Sequence, residues 1–223
     1  NINFLSINPL IVVDPIVPTI TINGPHDLTI HSSNEDIFIH GFGDEISLNS
    51  LTLNGGGNLT FISNPIISEG GHLSLLGNLL IKVENDKFDY NNVELDFSNT
   101  TINGTGTLTF NTGSADLSLG SIGNDSTIES LTIESTGKLN LFGDIYSGDS
   151  IYNFSSLSAI EIYKDMVFGS ADVPATVDFG ESTLDGTYSL TLFGKSLTLG
   201  TIGSSIALQD LTIHSSAELL QLN

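Results

Sequence analysis

A seven-residue stretch occurs three times along this chain, first as Ile37-Phe38-Ile39-His40-Gly41-Phe42-Gly43. It returns as Leu117-Ser118-Leu119-Gly120-Ser121-Ile122-Gly123 and again as Leu197-Thr198-Leu199-Gly200-Thr201-Ile202-Gly203. The step is the same each time, from position 37 to 117 and from position 117 to 197. Self-similarity at a fixed period of this kind is typical of repeat proteins, so the repeat governs the fold prediction.

The segments that flank this stretch keep the same step. Leu51-Thr52-Leu53 returns as Leu131-Thr132-Ile133 and as Leu211-Thr212-Ile213. Ile22-Asn23-Gly24 returns as Ile102-Asn103-Gly104 and, after a two-residue insertion, as Leu184-Asp185-Gly186. We therefore predict one array over residues 1–223, with approximate copies over 1–62, 63–142 and 143–223. The third copy is expected to stop within a longer array.

Short runs such as Leu-Thr-Leu alternate apolar and polar residues, which predicts strands with one buried face. Gly, Asn, Asp and Ser separate the runs and favour turns, and we expect almost no helix. The predicted fold is all-β, a right-handed parallel β-helix (β-solenoid) with about 20 residues per coil. Each copy then spans about four coils, and about 11 coils make a rod roughly 50 Å long. A run of immunoglobulin-like sandwiches, at about 100 residues per unit, is the alternative.

The composition limits the partners of such a rod. The chain has 26 Asp and Glu against 5 Lys, no Arg and a formal charge of −21, so nucleic acid and anionic membranes are not expected partners. It has no Cys, which excludes a disulfide framework and thiol chemistry. No apolar run approaches the roughly 20 residues that span a bilayer.

The third copy resembles a known family. Asp149-Ser150-Ile151-Tyr152-Asn153 is similar to the opening of repeats in filamentous-haemagglutinin-like exoproteins. The resemblance continues through Val177-Asp178-Phe179, Leu184–Leu192, Leu197–Gly203 and Leu208-Gln209-Asp210-Leu211-Thr212-Ile213. The chain departs from the family pattern because the Tyr152 motif lacks its Gln, and Tyr90-Asn91-Asn92 is only a shortened echo of it.

The resemblance implies a bacterial adhesin or matrix fibre that is exported by two-partner secretion. It predicts an extracellular, cell-surface location and a rigid acidic rod that acts in cell adhesion or in a biofilm matrix. Expected partners are cell-surface or matrix polysaccharides or proteins, and self-association end to end into fibres. The motifs consist of core and turn residues, so they imply no enzyme and no catalytic residue.

The residues that most often carry chemistry form no strong motif. His26, His31, His40, His72 and His214 form no HxH or HExxH pair, so we predict no metal site. His31 and His214 are expected to point outward at turns. The acidic pairs Glu35-Asp36 and Asp44-Glu45 offer oxygen ligands for Ca²⁺, the one cofactor kept as an alternative, but no D-x-D-x-D-G loop is present.

Three other functions are compatible with parts of the sequence. The enzymatic alternative is a carbohydrate-active β-helix, a polysaccharide lyase or hydrolase with an acidic groove, for which no catalytic residues are assigned. Thr19-Ile20-Thr21 and Thr107-Leu108-Thr109 suggest ice binding, but a two-column Thr ladder is not maintained. Surface tyrosines are candidates for stacking on sugars, namely Tyr90, Tyr146, Tyr152 and Tyr163.

Overall fold

The computed structural model describes residues 2–4, 22–61, 64–126 and 128–222, and every regular element in these ranges is a β-strand. Alternation creates the strands: Ile37 and Ile39 are buried, while Phe38 between them faces solvent. The strands are β1 Ile2–Phe4, β2 Asp27–His31, β3 Ile37–Ile39, β4 Leu48–Asn54, β5 Asn58–Phe61, β6 Ile67–Leu76, β7 Leu80–Asp89, β8 Glu94–Asn111, β9 Leu117–Ile122, β10 Ile128–Ile133, β11 Lys138–Leu141, β12 Ser147–Asn153, β13 Ala159–Ile162, β14 Met166–Phe168, β15 Ala175–Asp178, β16 Thr183–Asp185, β17 Ser189–Leu199 and β18 Asp210–Leu222.

These strands pair in parallel within one sheet that coils on itself. Leu51 pairs with Leu73, Leu73 with Leu95, and Leu95 with Leu117, so successive turns lie roughly 22 residues apart. The predicted parallel β-solenoid is confirmed, and facing antiparallel sandwiches are absent from the described residues. The right-handed sense, which is the rule for parallel crossovers, stays a prediction.

The coil length is close to the predicted value. Over the described residues the structure has about 8 turns spaced roughly 22 residues apart, where about 20 residues per coil were expected. At about 4.8 Å per turn, these turns account for about 40 Å of rod.

Inward side chains stack in three columns, one for each strand of a turn. Column A contains Leu28, Leu51, Leu73, Leu95, Leu117, Leu139, Ile160 and Leu184. Column B contains Ile37, Leu59, Ile81, Ile102, Ile122, Ile145, Phe168 and Leu192. Column C contains Leu108, Leu131, Tyr152, Val177 and Leu197.

The long sequence repeat does not return to the same column. Ile37 lies in column B, its equivalent Leu117 lies in column A, and the third equivalent, Leu197, lies in column C. Since each turn takes roughly 22 residues, the step from one copy to the next makes about three and two-thirds turns. The expectation of four whole coils per copy is therefore wrong, because each copy is rotated by one column relative to the copy before it.

The three columns meet in one continuous core. Aromatic residues fill its centre in two groups, the first where Phe88 stacks on Phe110 at 5.1 Å between ring centroids. The second group joins Phe154 to Phe179 at 5.6 Å. Nearly all inward residues of the three columns are below 5% exposed, so each turn buries its apolar surface against its neighbours.

Candidate functional site

The Ile-Asn-Gly and Leu-Asp-Gly segments of the three copies make the same contact between successive turns, which we call the corner clamp. In each clamp the side-chain Oδ1 of the middle residue accepts hydrogen bonds from backbone N–H groups of the next turn. In the first clamp, Asn23 Oδ1 accepts from the backbone of Glu45 at 3.0 Å and of Ile46 at 3.5 Å. In the second, Asn103 Oδ1 accepts from the backbone of Asp125 at 3.2 Å. In the third, Asp185 Oδ1 accepts from the backbone of Ser205 at 3.1 Å and of Ile206 at 3.2 Å.

Glycine completes each clamp on the backbone side. Gly43, Gly123 and Gly203 donate their N–H groups to carbonyl oxygens of the preceding turn, each at 2.8 Å. Their φ angles are 78°, 80° and 67°, a region that glycine adopts without steric penalty. A Cβ at Gly43 would also lie 2.2 Å from the carbonyl oxygen of Ile66. The recurring glycine of the repeat is thus explained by the clamp.

The charge of the clamp residue follows the charge of its partner. The first two clamps pair an amide with an acidic residue, Asn23 with Glu45 and Asn103 with Asp125. Asn103 Nδ2 also donates to Asp125 Oδ2 at 3.1 Å, which a carboxylate in its place would not do. In the third clamp the partner is the neutral Ser205, and there the clamp residue is Asp185. In the Asn103 clamp, the amide thereby avoids placing two carboxylates together.

Other acidic residues also bind the next turn. Asp116, Asp144 and Asp165 accept hydrogen bonds from the backbone N–H groups of Lys138, Val167 and Ser189, at 3.1, 3.0 and 2.8 Å. Charge-assisted bonds of this kind are stronger than bonds between neutral groups. Part of the large negative charge is therefore used to hold the turns together.

The acidic pairs considered for Ca²⁺ lie on the exposed surface. Asp36 Oδ1 accepts hydrogen bonds from the backbone of Asn58 at 3.0 Å and from its side-chain amide at 2.8 Å. Within the ranges that the structure describes, no three His, Asp or Glu side chains are grouped so as to hold a metal ion. Asp36 is thus occupied with inter-turn contacts.

The histidines are spread over the rod. His31 is the exposed last residue of β2. His214 is exposed too, but it lies inside β18 rather than at a turn and stacks on Phe193 at 4.6 Å. His72 Nδ1 lies 3.0 Å from Glu94 Oε2 on the surface. These positions make no shared site.

Two of the tyrosines considered for sugar stacking are core residues. Tyr90 is 7% exposed and Tyr152 is fully buried, so the hypothesis is wrong for both. Tyr152 donates its hydroxyl to the carbonyl of Tyr146 at 2.9 Å. The Tyr90 hydroxyl has no hydrogen-bond partner among the described residues, and desolvation by burial raises the pKa of Tyr90 above its ordinary value.

Tyr163 is exposed and belongs to a surface cluster that we call the aromatic patch, formed by Lys138, Asn140, Phe142, Glu161 and Tyr163. β11 and its extension present Lys138, Asn140 and Phe142 on one side, since alternate residues of a strand share a face. The next turn presents Glu161 beside Asn140, and the Tyr163 backbone N–H donates to the carbonyl of Leu141 at 2.9 Å. The strands of the solenoid therefore hold the patch in place.

The two rings of the aromatic patch stack on each other. Their centroids are 4.6 Å apart and their planes differ by 8°. Each ring is 38% exposed. Lys138 Nζ lies 5.9 Å from the centroid of Tyr163, within the range of a cation–π interaction.

Two lysines at or next to the aromatic patch are each paired with a carboxylate. Lys138 binds the carboxylate of Glu161, and Lys164 Nζ lies 3.3 Å from Asp144 Oδ2. Desolvation lowers the pKa of Lys138, but the hydrogen bond to Glu161 and the nearby Tyr163 and Glu161 outweigh it, and the pKa is raised. Lys138 therefore stays protonated, and its charge is balanced by Glu161.

The outward threonines do not form a regular lattice. Thr107 and Thr109 align with Ser130 and Thr132 on the next turn. The turn after that carries Ile151 and Asn153 in these positions, which interrupts the hydroxyl columns. Thr19-Ile20-Thr21 lies outside the described residues.

Comparison with protein-family models, with curated proteins and with solved structures finds no match. Among the described residues, no helix is long and apolar enough to cross a membrane. The fold and its clamps define the chain as a parallel β-solenoid repeat protein.

Sequence reasoning missed the role of the clamps and most of the aromatic patch. The Ile-Asn-Gly repeat is visible in the sequence, but there it indicates only a turn, whereas in the structure its amide reaches the next turn. Phe142 and Lys138 give no signal, because their proximity to Tyr163 and Glu161 depends on the length of the coil. At the observed coil length, β11 and β13 pair as neighbouring strands, which places Asn140 beside Glu161.

Proposed function

We propose that this chain is a rigid, acidic rod segment of an extracellular structural or adhesive protein, such as a bacterial surface adhesin or a biofilm-matrix fibre. The observation that carries the proposal is the corner clamp, which recurs in all three copies between turns of one continuous core. Repeated bonding of turn to turn favours stiffness along the rod. A stiff rod suits a protein whose task is to span distance and present a surface.

The remaining parts of the proposal rest on the sequence. The resemblance to filamentous-haemagglutinin-like repeats supports export by two-partner secretion and a location at the cell surface. A charge of −21 supports repulsion between rods, hence their separation in solution, and disfavours nucleic acid and anionic membranes as partners. Cell-surface or matrix polysaccharides and proteins remain the proposed partners.

An adhesion assay with a turnover control tests the proposal. The protein is immobilised on beads, which are offered to bacterial cells and to purified neutral and acidic matrix polysaccharides. We expect retention of cells or polysaccharide and no release of shortened sugar chains. Bond cleavage at a catalytic rate would contradict a structural role, and a failure to retain any of these surfaces would contradict the adhesive role.

A further inference from the structure

We propose that the aromatic patch binds a neutral polysaccharide. The inference rests on the proposed adhesive function and names the ligand class of one surface on the rod. Phe142 and Tyr163 form a stacked pair, each with 38% of its surface open to solvent. Aromatic rings beside hydrogen-bonding groups suit sugars, which present apolar C–H faces and a rim of hydroxyls.

The charges of the patch and of the rod favour a neutral ligand. Lys138 Nζ lies 5.9 Å from the centroid of the Tyr163 ring and is paired with Glu161. Lys164, which follows Tyr163 in the sequence, is paired with Asp144, and the whole chain carries −21. An acidic polysaccharide would be repelled by the rest of the rod, and it would find no unpaired Lys138 or Lys164 to attract it.

The polar groups of the patch supply directional contacts. Lys138 and Glu161 together present a donor and an acceptor for sugar hydroxyls. Asn140 lies beside Glu161 in the paired strands, and its side-chain amide donates to Ser118 Oγ at 3.4 Å.

The rigidity of the strands matters for affinity. Lys138, Asn140 and Glu161 lie on paired strands of the solenoid, and the backbone at Phe142 donates to the carbonyl of Leu119 at 2.8 Å. Side chains held in this way lose little freedom on binding, which favours binding of a ligand whose own contacts are weak.

Nuclear magnetic resonance titration of the full chain tests the inference. The probes are neutral gluco- and galacto-hexasaccharides, and the acidic comparison is oligogalacturonate. We expect a neutral hexasaccharide to shift the signals of Asn140, Phe142 and Tyr163, and the acidic probe to bind at least tenfold more weakly. Preference for the acidic probe, or shifts confined to other parts of the rod, would overturn the inference.

Matched variants distinguish binding at the aromatic patch from non-specific binding to any exposed aromatic ring. Phe142→Ala and Tyr163→Ala should each weaken binding of the neutral probe at least tenfold, while Phe38→Ala, which removes another exposed ring on β3, should leave it unchanged. Equal losses in all three variants would contradict a specific site. If no neutral probe binds while the beads still retain cells, the patch inference fails and the proposed adhesive function stands.

Discussion

The corner clamps and one outward strand position behave differently from copy to copy. Asn23, Asn103 and Asp185 make the same inter-turn contact, in spite of a rotation by one column between copies. In contrast, the second residue of the recurring seven-residue stretch changes from Phe38 to Ser118 and then Thr198, each on an outward face. The repeat thus preserves the contacts that join its turns, whereas at this outward position it tolerates side chains of different size and polarity.

The largest expected effect breaks a clamp through its glycine. Gly43→Ala places a Cβ 2.2 Å from the carbonyl oxygen of Ile66 and strains a residue with φ of 78°. We expect a loss of about 2–4 kcal/mol in the free energy of unfolding, measured by urea denaturation.

Gly70→Ala is the matched control for this change. Gly70 has a similar φ of 77°, but an added Cβ would meet nothing within 4 Å. The expected loss is about 1 kcal/mol, from the backbone conformation alone. Equal losses at Gly43 and Gly70 would show that close approach of the turns contributes nothing.

The second prediction tests the charge rule of the clamps. Asn103→Asp replaces an amide that donates to Asp125, and the two carboxylates then repel each other. We expect a loss of about 1–2 kcal/mol at neutral pH, because a part-buried hydrogen bond is lost as well.

Adding Asp125→Ser to Asn103→Asp recreates the pairing of Asp185 with Ser205 in the third clamp. The double variant should recover to within about 0.5 kcal/mol of the natural chain in a double-mutant cycle. If the changes in the free energy of unfolding from the two substitutions simply add, the charges of residues 103 and 125 are not coupled and the proposed charge rule is wrong.

The third prediction concerns pH and the buried phenol of Tyr90. Its pKa is raised in the folded chain above the ordinary value of 10.0, so the unfolded chain loses this proton first as pH rises. The stability linked to Tyr90 is full below pH 10.0 and falls as pH rises above it, towards the raised pKa.

Tyr90→Phe should therefore reduce the drop in urea midpoint between pH 9 and pH 11. At pH 7 it should change stability by at most about 1 kcal/mol, because the removed hydroxyl has no partner among the described residues. An unchanged alkaline drop would indicate that Tyr90 is not a buried phenol in solution.

The smallest effect is expected on an outward face. Thr132 lies between buried Leu131 and Ile133 and points away from the core. Thr132→Ala should change the free energy of unfolding by no more than about 0.5 kcal/mol, as is usual for surface positions. A loss comparable to that of a clamp variant would remove the distinction between the two regions.

The sequence was sufficient for the fold class, because alternation at Leu51-Thr52-Leu53 and its equivalents specifies strands with one buried face. It was insufficient for the number of turns per copy. The step from position 37 to position 117 also divides into four whole coils of about 20 residues. The shorter period was nevertheless present as an even spacing of leucines, at Leu51, Leu73, Leu95, Leu117 and Leu139. The aromatic patch depends on this spacing, so it was invisible until the coil was known.

The register of the coil is the central claim, and engineered cysteines test it directly because the chain has no Cys. Thr52 pairs with Ser74 on the next turn, so their Cα atoms fall within the range that a disulfide spans. Thr52→Cys with Ser74→Cys should cross-link readily under mild oxidation. Thr52→Cys with His72→Cys should not, because His72 pairs with Ser50 instead. Efficient cross-linking of the second pair and failure of the first would contradict the observed coil length and the rotation of the copies that follows from it.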